Sequence, residues 1–211
     1  MDLHNFRRDY LLGGLRRADL NLDPMKQFDQ WFQEILSVKT VDPNAMVLAT
    51  AGSSIEVCQR IVLLKAYNEQ GFDFYTNKHS AKAHAIDQSP KVSLHFPWHF
   101  VERQVIINGV AEPLPDKDND EYFASRPRES QLAAWASQQS QKISSRDELI
   151  DRFGLLQQQY PEDVPRPPHW GGYRVVASRI EFWQGGANRL HDRFAYTRDA
   201  DNAWNSQRLS P

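Results

Sequence analysis

Cysteine is almost absent from this 211-residue sequence, which contains Cys58 and no second thiol. One thiol cannot form an intrachain disulfide, and this favours a protein of a reducing compartment. It also excludes zinc sites built from paired cysteines. The seven histidines show no HxH or HExxH spacing, so we expect no metal site. Cys58 itself is expected to be a small buried residue.

Long apolar runs are missing as well. No segment approaches the roughly 20 residues that span a bilayer. The N-terminal segment carries Asp2, Asp9 and Asp19, which is untypical of secretory and organelle-targeting peptides. We therefore expect a cytoplasmic protein. The formal net charge is −2, so no global positive field recruits nucleic acid or a membrane surface, and any anion-binding site must be local.

The glycine-rich loops that commonly hold phosphate, GxGxxG and GxxxxGK[ST], are absent, and no GxSxG elbow indicates a serine hydrolase. Phosphate would have to be held by side chains, and Arg60, Lys65, Lys82 and Arg126 with Ser130 are the candidates. Any one of these cations is more typical of a solvated surface, and only the set favours a site. In one strand over 60–67, Arg60 and Lys65 would point to opposite faces, which predicts two separate anion sites.

The chain divides into an N-terminal arm, residues 1–22, and a single domain, residues 23–211. The arm contains the pair Arg16-Arg17. This pair is either a second, regulatory anion site or a solvated basic pair, and the second interpretation is favoured. Asp23 and Pro24 predict the N-cap and first position of a helix.

Short apolar or alternating segments separated by turn residues predict strands, and helices are inserted between them. This arrangement, without strict βαβ alternation, predicts an α+β fold with an antiparallel sheet that closes or nearly closes into a barrel. The predicted strands are 45–50, 60–67, 72–77, 91–96, 103–112, 174–185, 189–198 and 203–209. Two predicted helices begin at Pro24 and Ala81, and three more extend over 116–125, 128–138 and 146–160.

The segment RLHDR would, as a strand, place Arg189, His191 and Arg193 on one face, where they repel unless an anion joins them. Gln104 in an apolar strand, and Trp183 before a Gly-Gly turn, could address a flat heteroaromatic ring. From composition alone, a core tryptophan and an edge-strand glutamine remain the favoured interpretation.

Several motifs in fixed order resemble the pyridoxine (pyridoxamine) 5′-phosphate oxidase family: RRDY, RIVLLK, FYTN, ERQV, SRPRESQ, HWGGYR, IEFWQGG and RLHDRF. The resemblance extends from about Phe6 to Pro211. It implies an FMN-binding split β-barrel, antiparallel and Greek-key-like with surrounding helices, and a homodimer with FMN between the subunits. It also implies oxidation of pyridoxine or pyridoxamine 5′-phosphate to pyridoxal 5′-phosphate by hydride transfer from C4′ to the flavin, with O2 reduced to hydrogen peroxide.

The resemblance also implies roles for individual residues. The implied FMN contacts are Arg60, Ile61, Val62, Leu63, Leu64, Lys65, Tyr75, Thr76, Lys82, Gln104, Gln139, Ser140, Trp183 and Arg193. The implied substrate contacts are Arg7, Arg8, Asp9, Tyr10, Lys65, Tyr122, Arg126, Ser130, Arg189 and His191. Arg189 and His191 would flank the pyridine ring as catalytic residues, His191 as a positioning group rather than a required base, and Asp42 is a further catalytic candidate.

One departure from the family pattern falls in the expected phosphate clamp. Where the family usually has Ser-Arg-Lys, this chain has Ser80-Ala81-Lys82, so one cation is missing. Two alternatives remain open: a related split-barrel flavin oxidase of the phenazine-pathway type, and a non-catalytic FMN- or pyridoxal-phosphate-binding protein.

Overall fold

The computed structural model describes residues 1–5, 8–52 and 56–211. Helices and strands alternate irregularly along the chain. The helices are α1 (Pro24–Ser37), α2 (Ala81–Gln88), α3 (Asp116–Ala124), α4 (Arg128–Ala136) and α5 (Arg146–Gln159). The strands are β1 (Ala45–Ala51), β2 (Val57–Leu63), β3 (Ala66–Asn68), β4 (Gly71–Asn77), β5 (Lys91–Phe96), β6 (Arg103–Pro113), β7 (Trp170–Gln184), β8 (Asp192–Arg198) and β9 (Trp204–Leu209).

All the strands belong to one antiparallel sheet, ordered β2-β1-β5-β6-β7-β4-β3, with β8 and β9 continuing from β7. β7 is the strand at which the sheet divides. One edge of β7 pairs with β6 along its length, whereas the other edge pairs first with β4 and then with β8. The predicted α+β fold with a curled antiparallel sheet is confirmed.

The core fills the inside of the curled sheet. Strands β1, β5 and β6 alternate buried and half-buried residues, so one face of each points inward. Helix α1 covers the open end with Phe28 and Ile35, both fully buried. It begins as predicted, because the Asp23 side chain accepts a hydrogen bond from the Met25 amide and Pro24 occupies the first turn. None of the helices in the described part of the chain combines the length and apolar character needed to cross a membrane.

The predicted single strand over 60–67 is wrong, since the chain breaks between β2 and β3. At the break the Leu64 side chain turns into the core, where it is 4% exposed. The Lys65 amide donates to the Asp73 carbonyl of β4 at 2.9 Å. Because Arg60 and Lys65 do not belong to one strand, period-two alternation does not decide which way their side chains point. The prediction that they lie on opposite faces of one strand, and so in two separate sites, loses its basis.

The predicted strand over RLHDR is also wrong at its start. Asn188 and Arg189 adopt left-handed backbone angles, with φ of 56° and 63°, in a short 3₁₀ turn, and β8 begins at Asp192. Arg189 and His191 therefore precede the strand, while Arg193 belongs to it. A strand over these five residues cannot form because the chain must first reverse direction after β7.

Cys58 is exposed, not buried. It lies on β2, an edge strand at one end of the sheet order, where the side chains are mostly exposed. The predicted boundary between an arm over residues 1–22 and a domain over 23–211 stays a prediction, although Leu15 is 5% exposed and packs into the core.

Gly109 gives a direct test of this packing. It lies at the register shift of the β6–β7 ladder, where an added Cβ would be 2.2 Å from the Val176 carbonyl oxygen. Because that atom belongs to a paired backbone, we expect Gly109→Ala to lower the free energy of unfolding by about 1–3 kcal/mol in urea titrations.

Gly154 supplies the matched control. It lies inside α5, where an added Cβ would meet nothing within 4 Å. Gly154→Ala should therefore raise the free energy of unfolding by about 0.5–1 kcal/mol. Equal effects of the two substitutions would contradict the packing at the β6–β7 bulge.

Candidate functional site

A cleft of about 870 Å³ opens where the edge strand β2 approaches β4, and helices α3 and α4 form its opposite wall. Many residues that the sequence nominated for ligand binding line it together. They are Arg60, Ile61, Val62, Leu63, Lys65, Tyr75, Thr76, Lys82, Tyr122, Arg126, Ser130, Gln139 and Ser140. The lining contains four cationic side chains and, within the described residues, no carboxylate.

Lys82 is the most deeply placed of these cations, with 7% of the residue exposed. Its Nζ donates to neutral oxygens: Oγ1 of Thr76 at 3.0 Å, Oγ of Ser80 at 3.3 Å and Oε1 of Gln139 at 3.3 Å. Burial, together with the nearby charge of Arg60, lowers the pKa of Lys82 to about 8. An anion bound here would balance a charge that these hydrogen-bond partners leave uncompensated.

Arg60 faces the same end of the cleft from β2. Its guanidinium donates from NH1 to the Leu48 carbonyl at 3.1 Å and to Oγ1 of Thr50 at 2.7 Å. Burial lowers the pKa of Arg60, yet an arginine stays charged at any physiological pH. Arg60 and Lys82 thus form one cationic group. The hydroxyl of Ser140 lies close by, since the Ala81 amide donates to it at 3.2 Å.

Arg126 marks a second cationic group in the cleft. Its guanidinium lies over the Trp170 ring, 4.8 Å from the centroid, and burial lowers its pKa. The NH1 atom is buried and has no hydrogen-bond partner among the described residues. Lys65 contributes a second charge, its Nζ 5.9 Å from the Tyr122 ring. A buried unpaired donor beside a lysine indicates that an anion completes this group.

Two neighbouring residues of β4 connect the two groups. Thr76 contacts Lys82, whereas Tyr75 stacks on Tyr122 with ring centroids 4.1 Å apart and on Trp170 at 5.2 Å. One cleft therefore offers two anion positions joined by a flat aromatic and apolar wall. This donor set fits a phosphorylated planar cofactor such as FMN next to a second phosphorylated ring.

Most of the remaining predicted residues form a second cluster outside the cleft, near the far end of β7. Gln104, Trp183 and Arg193 lie side by side on β6, β7 and β8 in the hydrogen-bonded register. Tyr10 of the arm packs edge-on against Trp183, with centroids 5.8 Å apart, and against His191 at 5.3 Å.

Arg189 and the arm complete this cluster. The Arg189 guanidinium lies 5.5 Å from the Tyr10 ring centroid, and that of Arg8 lies 5.1 Å away. Gly185 lies directly beneath Tyr10, where an added Cβ would be 2.5 Å from the ring. Gly185 therefore lets the arm approach the end of β7 closely.

His191 has a defined protonation pattern. Its Nδ1 accepts a hydrogen bond from the Gly186 amide at 3.1 Å. Burial, and then the charge of Arg189, lower the pKa of His191, so the ring is neutral at pH 7. A neutral ring that accepts at Nδ1 carries its proton on Nε2. His191 therefore presents a hydrogen-bond donor, as a positioning group would.

Arg193 is held rigidly within the cluster. Its Nε donates to Oε1 of Glu181 at 2.8 Å, and its NH1 donates to the Ser210 carbonyl at 2.8 Å. Glu181 is 5% exposed and also pairs with Arg179. These contacts fix the plane of the Arg193 guanidinium.

Of the two carboxylates that hold the arm, sequence reasoning missed Glu102. Glu102 accepts from the Leu12 amide at 3.0 Å, and Asp192 accepts from the Leu15 amide at 2.9 Å. These residues come together only through tertiary structure, and no local motif announces them. Trp170, which stacks in the cleft, was missed for the same reason.

Four nominated residues lie apart from both clusters or outside the description. Leu64 is buried in the core, Asp9 is exposed, and Asp42 is exposed in the turn before β1 with a φ of 47°. Arg7 lies outside the described residues. Among the described residues, no group of three or more His, Cys, Asp or Glu side chains is placed to hold a metal ion.

Comparisons with known proteins agree with this geometry. Residues 29–160 match the family model described as pyridoxamine 5′-phosphate oxidase, and residues 170–211 match the model described as the pyridoxine 5′-phosphate oxidase C-terminal dimerisation region. The chain is 50% identical to a pyridoxine/pyridoxamine 5′-phosphate oxidase of Aliivibrio fischeri over 100% of both chains. It is 51% identical to the enzyme of that name from Escherichia fergusonii, over 98% of this chain and 95% of the relative.

Two solved structures share the fold. PhzG from Burkholderia lata, in complex with tetrahydrophenazine-1-carboxylic acid, is 28% identical and superposes with a TM-score of 0.88 over 93% of this chain and 98% of that chain. A pyridoxamine 5′-phosphate oxidase-related, FMN binding protein from Nostoc punctiforme is 15% identical, with a TM-score of 0.73 over 91% of this chain and 100% of that chain. At that identity the second structure supports the fold alone.

The lowered pKa of Lys82 predicts how stability depends on pH. Because the pKa is about 8 in the folded protein and 10.5 in the unfolded chain, the unfolded state binds more protons between these values. The free energy of unfolding of the ligand-free protein should therefore rise from about pH 8 to about pH 9.5. Urea titrations across this range measure the slope, and Lys82→Met should reduce it and stabilise the protein at pH 7.

Lys117→Met is the control, because this α3 side chain is 81% exposed. It should leave the slope unchanged. A slope that persists in Lys82→Met would assign the effect to another group.

Proposed function

The chain belongs to the pyridoxine/pyridoxamine 5′-phosphate oxidase family, and we propose that FMN and the substrate phosphate occupy the two anion positions of its cleft. In this function the protein oxidises pyridoxine or pyridoxamine 5′-phosphate to pyridoxal 5′-phosphate and reduces O2 to hydrogen peroxide. The alcohol yields the aldehyde directly, whereas the amine also consumes water and releases ammonia. The observation that carries the proposal is the pair of cationic groups in one cleft without a lining carboxylate.

The FMN phosphate fits the group formed by Arg60 and Lys82. The Lys82 ammonium is balanced by a phosphate, and Arg60 can bind phosphate oxygens in a bidentate manner. Gln139 and Ser140 add neutral contacts at the same end. The flavin ring would then extend along β2 past Ile61. Bound FMN supplies the electron acceptor for the oxidation and passes the electrons to O2.

The substrate phosphate fits the group formed by Lys65, Tyr122, Arg126 and Ser130. Its oxygens would accept from the buried NH1 of Arg126, which has no partner among the described residues. Binding energy at this remote phosphate orients the pyridine ring, and orientation is a large part of the rate acceleration available to such a reaction.

The second cluster supplies the groups that would flank the pyridine ring. His191 donates from Nε2 to a polar substituent of the substrate, Arg189 covers the ring, and Tyr10 of the arm excludes water. Gln104, Trp183 and Arg193 contact the cofactor ring. Asp42 and the arm residues Arg7, Arg8 and Asp9 remain further candidates for substrate contact.

A homodimer brings the two clusters together. Trp170 lines the cleft, whereas Trp183 belongs to the second cluster. The two residues lie at opposite ends of β7, and the length of extended strand between them is about 40 Å. None of the described residues of the second cluster lines the cleft of the same chain. Pairing of two copies about a two-fold axis would place the second cluster of one chain over the cleft of the other. The match of residues 170–211 to a dimerisation region supports this arrangement.

The direct test is peroxide release. The purified protein should bind FMN and release hydrogen peroxide with pyridoxine 5′-phosphate, at a far higher kcat/KM than with phosphate-free pyridoxine. A protein that binds no FMN, or releases no peroxide with either phosphate ester, would overturn the proposed function.

Arg126→Ala controls for the phosphate position within the same assay. Removing a charged hydrogen bond of roughly 1.5–3 kcal/mol should raise KM for the phosphate ester by about tenfold or more, with a smaller effect on the phosphate-free alcohol. An equal loss on both substrates would place Arg126 elsewhere in the mechanism.

Mixing two impaired variants tests the shared site. Arg126→Ala damages the cleft, and His191→Ala damages the second cluster. If each site draws on both chains, a mixed dimer regains one intact site, and an equal mixture refolded together should recover roughly a quarter of the wild-type sites.

The same variants assayed separately provide the baseline for that recovery. Activity of the mixture no greater than the average of the two variants would show that each site lies within one chain.

A further inference from the structure

His95 is a half-buried histidine that the proposed function does not use. It lies on β5 between the fully buried Leu94 and Phe96, so its side chain points to the outer face of the sheet. That face also carries Gln104 and Trp183, which are direct partners in the β6–β7 ladder.

His95 and Gln104 are joined by a hydrogen bond between Nε2 of His95 and Oε1 of Gln104, which lie 3.0 Å apart. Burial lowers the pKa of His95. A neutral imidazole carries its proton on either ring nitrogen, and because an amide oxygen only accepts, the tautomer that makes this bond is the one protonated on Nε2.

This bond decides which end of the Gln104 amide is available to a ligand. With Oε1 held by His95, the NH2 group points away from the ring, and Gln104 presents two donors next to its ladder partner Trp183. With the amide reversed, Gln104 would present an acceptor instead. The pyrimidine part of a flavin has two carbonyl oxygens, which need donors, and one N–H between them, which needs an acceptor.

We propose that His95 is a positioning residue for the cofactor: by donating from Nε2 to Oε1 of Gln104, it locks the amide with its N–H groups toward the flavin carbonyl oxygens. The proposal rests on the proposed function, because it requires FMN to contact Gln104. His95 touches no reacting atom and acts through Gln104. A single donor on a neighbouring strand thus sets the hydrogen-bonding pattern of a cofactor contact.

FMN affinity of the ligand-free protein is the measurement that tests this role. His95→Phe keeps a planar ring but removes the donor, so the amide is free to reverse. We expect the Kd for FMN, measured by quenching of flavin fluorescence, to increase roughly five- to tenfold. His95→Gln retains a donor and should recover most of the affinity.

A double-mutant cycle separates positioning from general packing. In a Gln104→Ala background, His95→Phe should change the Kd by less than about twofold, because the group through which it acts is gone. Ser93→Ala, on the same face of β5, is the control and should leave the Kd unchanged. Thermal unfolding and size-exclusion chromatography of each variant should match the wild type.

Three results would overturn the role of His95. They are an unchanged Kd in His95→Phe, an equal loss in both backgrounds, and loss of the dimer. Failure of the wild-type protein to bind FMN would instead overturn the proposed function itself, so the two failures are distinguishable.

Discussion

Uncompensated positive charge in the cleft is the constraint on which the rest of the site depends. Outside the cleft, several half-buried arginines are paired with carboxylates: Arg174 makes a two-pronged contact with the buried Asp73, and Glu181 lies between Arg179 and Arg193. In the cleft, Lys82 contacts neutral oxygens, and NH1 of Arg126 has no partner among the described residues. Such an arrangement costs stability in the ligand-free protein, and two bound phosphates would recover it.

β7 separates the cleft from the second cluster of the same chain. Its first half pairs with β4 and places Trp170 beside the cleft, whereas its second half pairs with β8 and carries Trp183 on the outer face of the sheet. The cleft and the second cluster of one chain thus lie at different ends of β7. Under the proposed function, each chain would supply one phosphate-binding half and one ring-contacting half, and a two-fold axis is the simplest operation that joins them. Dimerisation would then be part of the chemistry, because a single chain would bind phosphate without covering the ring.

Local sequence patterns predicted the elements well where periodicity and turn chemistry decide the structure. The Asp23-Pro24 start of α1 and the Ser80 cap of α2 occur as expected. The errors fall at functional segments. The strand over 60–67 breaks because Leu64 is more stable in the core than on a strand edge, and this break lets Lys65 line the same cleft as Arg60. RLHDR fails as a strand because Arg189 is held in a left-handed turn. Tertiary packing decides both positions, and period-two alternation contains no information about it. Residue chemistry nominated the cations of the cleft, the family resemblance added most of its neutral residues, and the structure brings both sets together.

The chemistry of the second cationic group also bears on which substrate the cleft accepts. The PhzG structure, 28% identical, was solved with tetrahydrophenazine-1-carboxylic acid, an anion with two oxygens on a tricyclic frame. Here Lys65 and Arg126 supply two charges, and Tyr122 and Ser130 add hydroxyl donors on the same cleft wall. A phosphate dianion has three free oxygens and twice the charge of a carboxylate, so it can use all four groups. The same cleft is also bounded by the stacked rings of Tyr75, Tyr122 and Trp170, which favours a single small ring anchored by phosphate over a wider fused system. Under the proposed function, these four donors at one end of the substrate would favour the phosphate ester over a tricyclic acid.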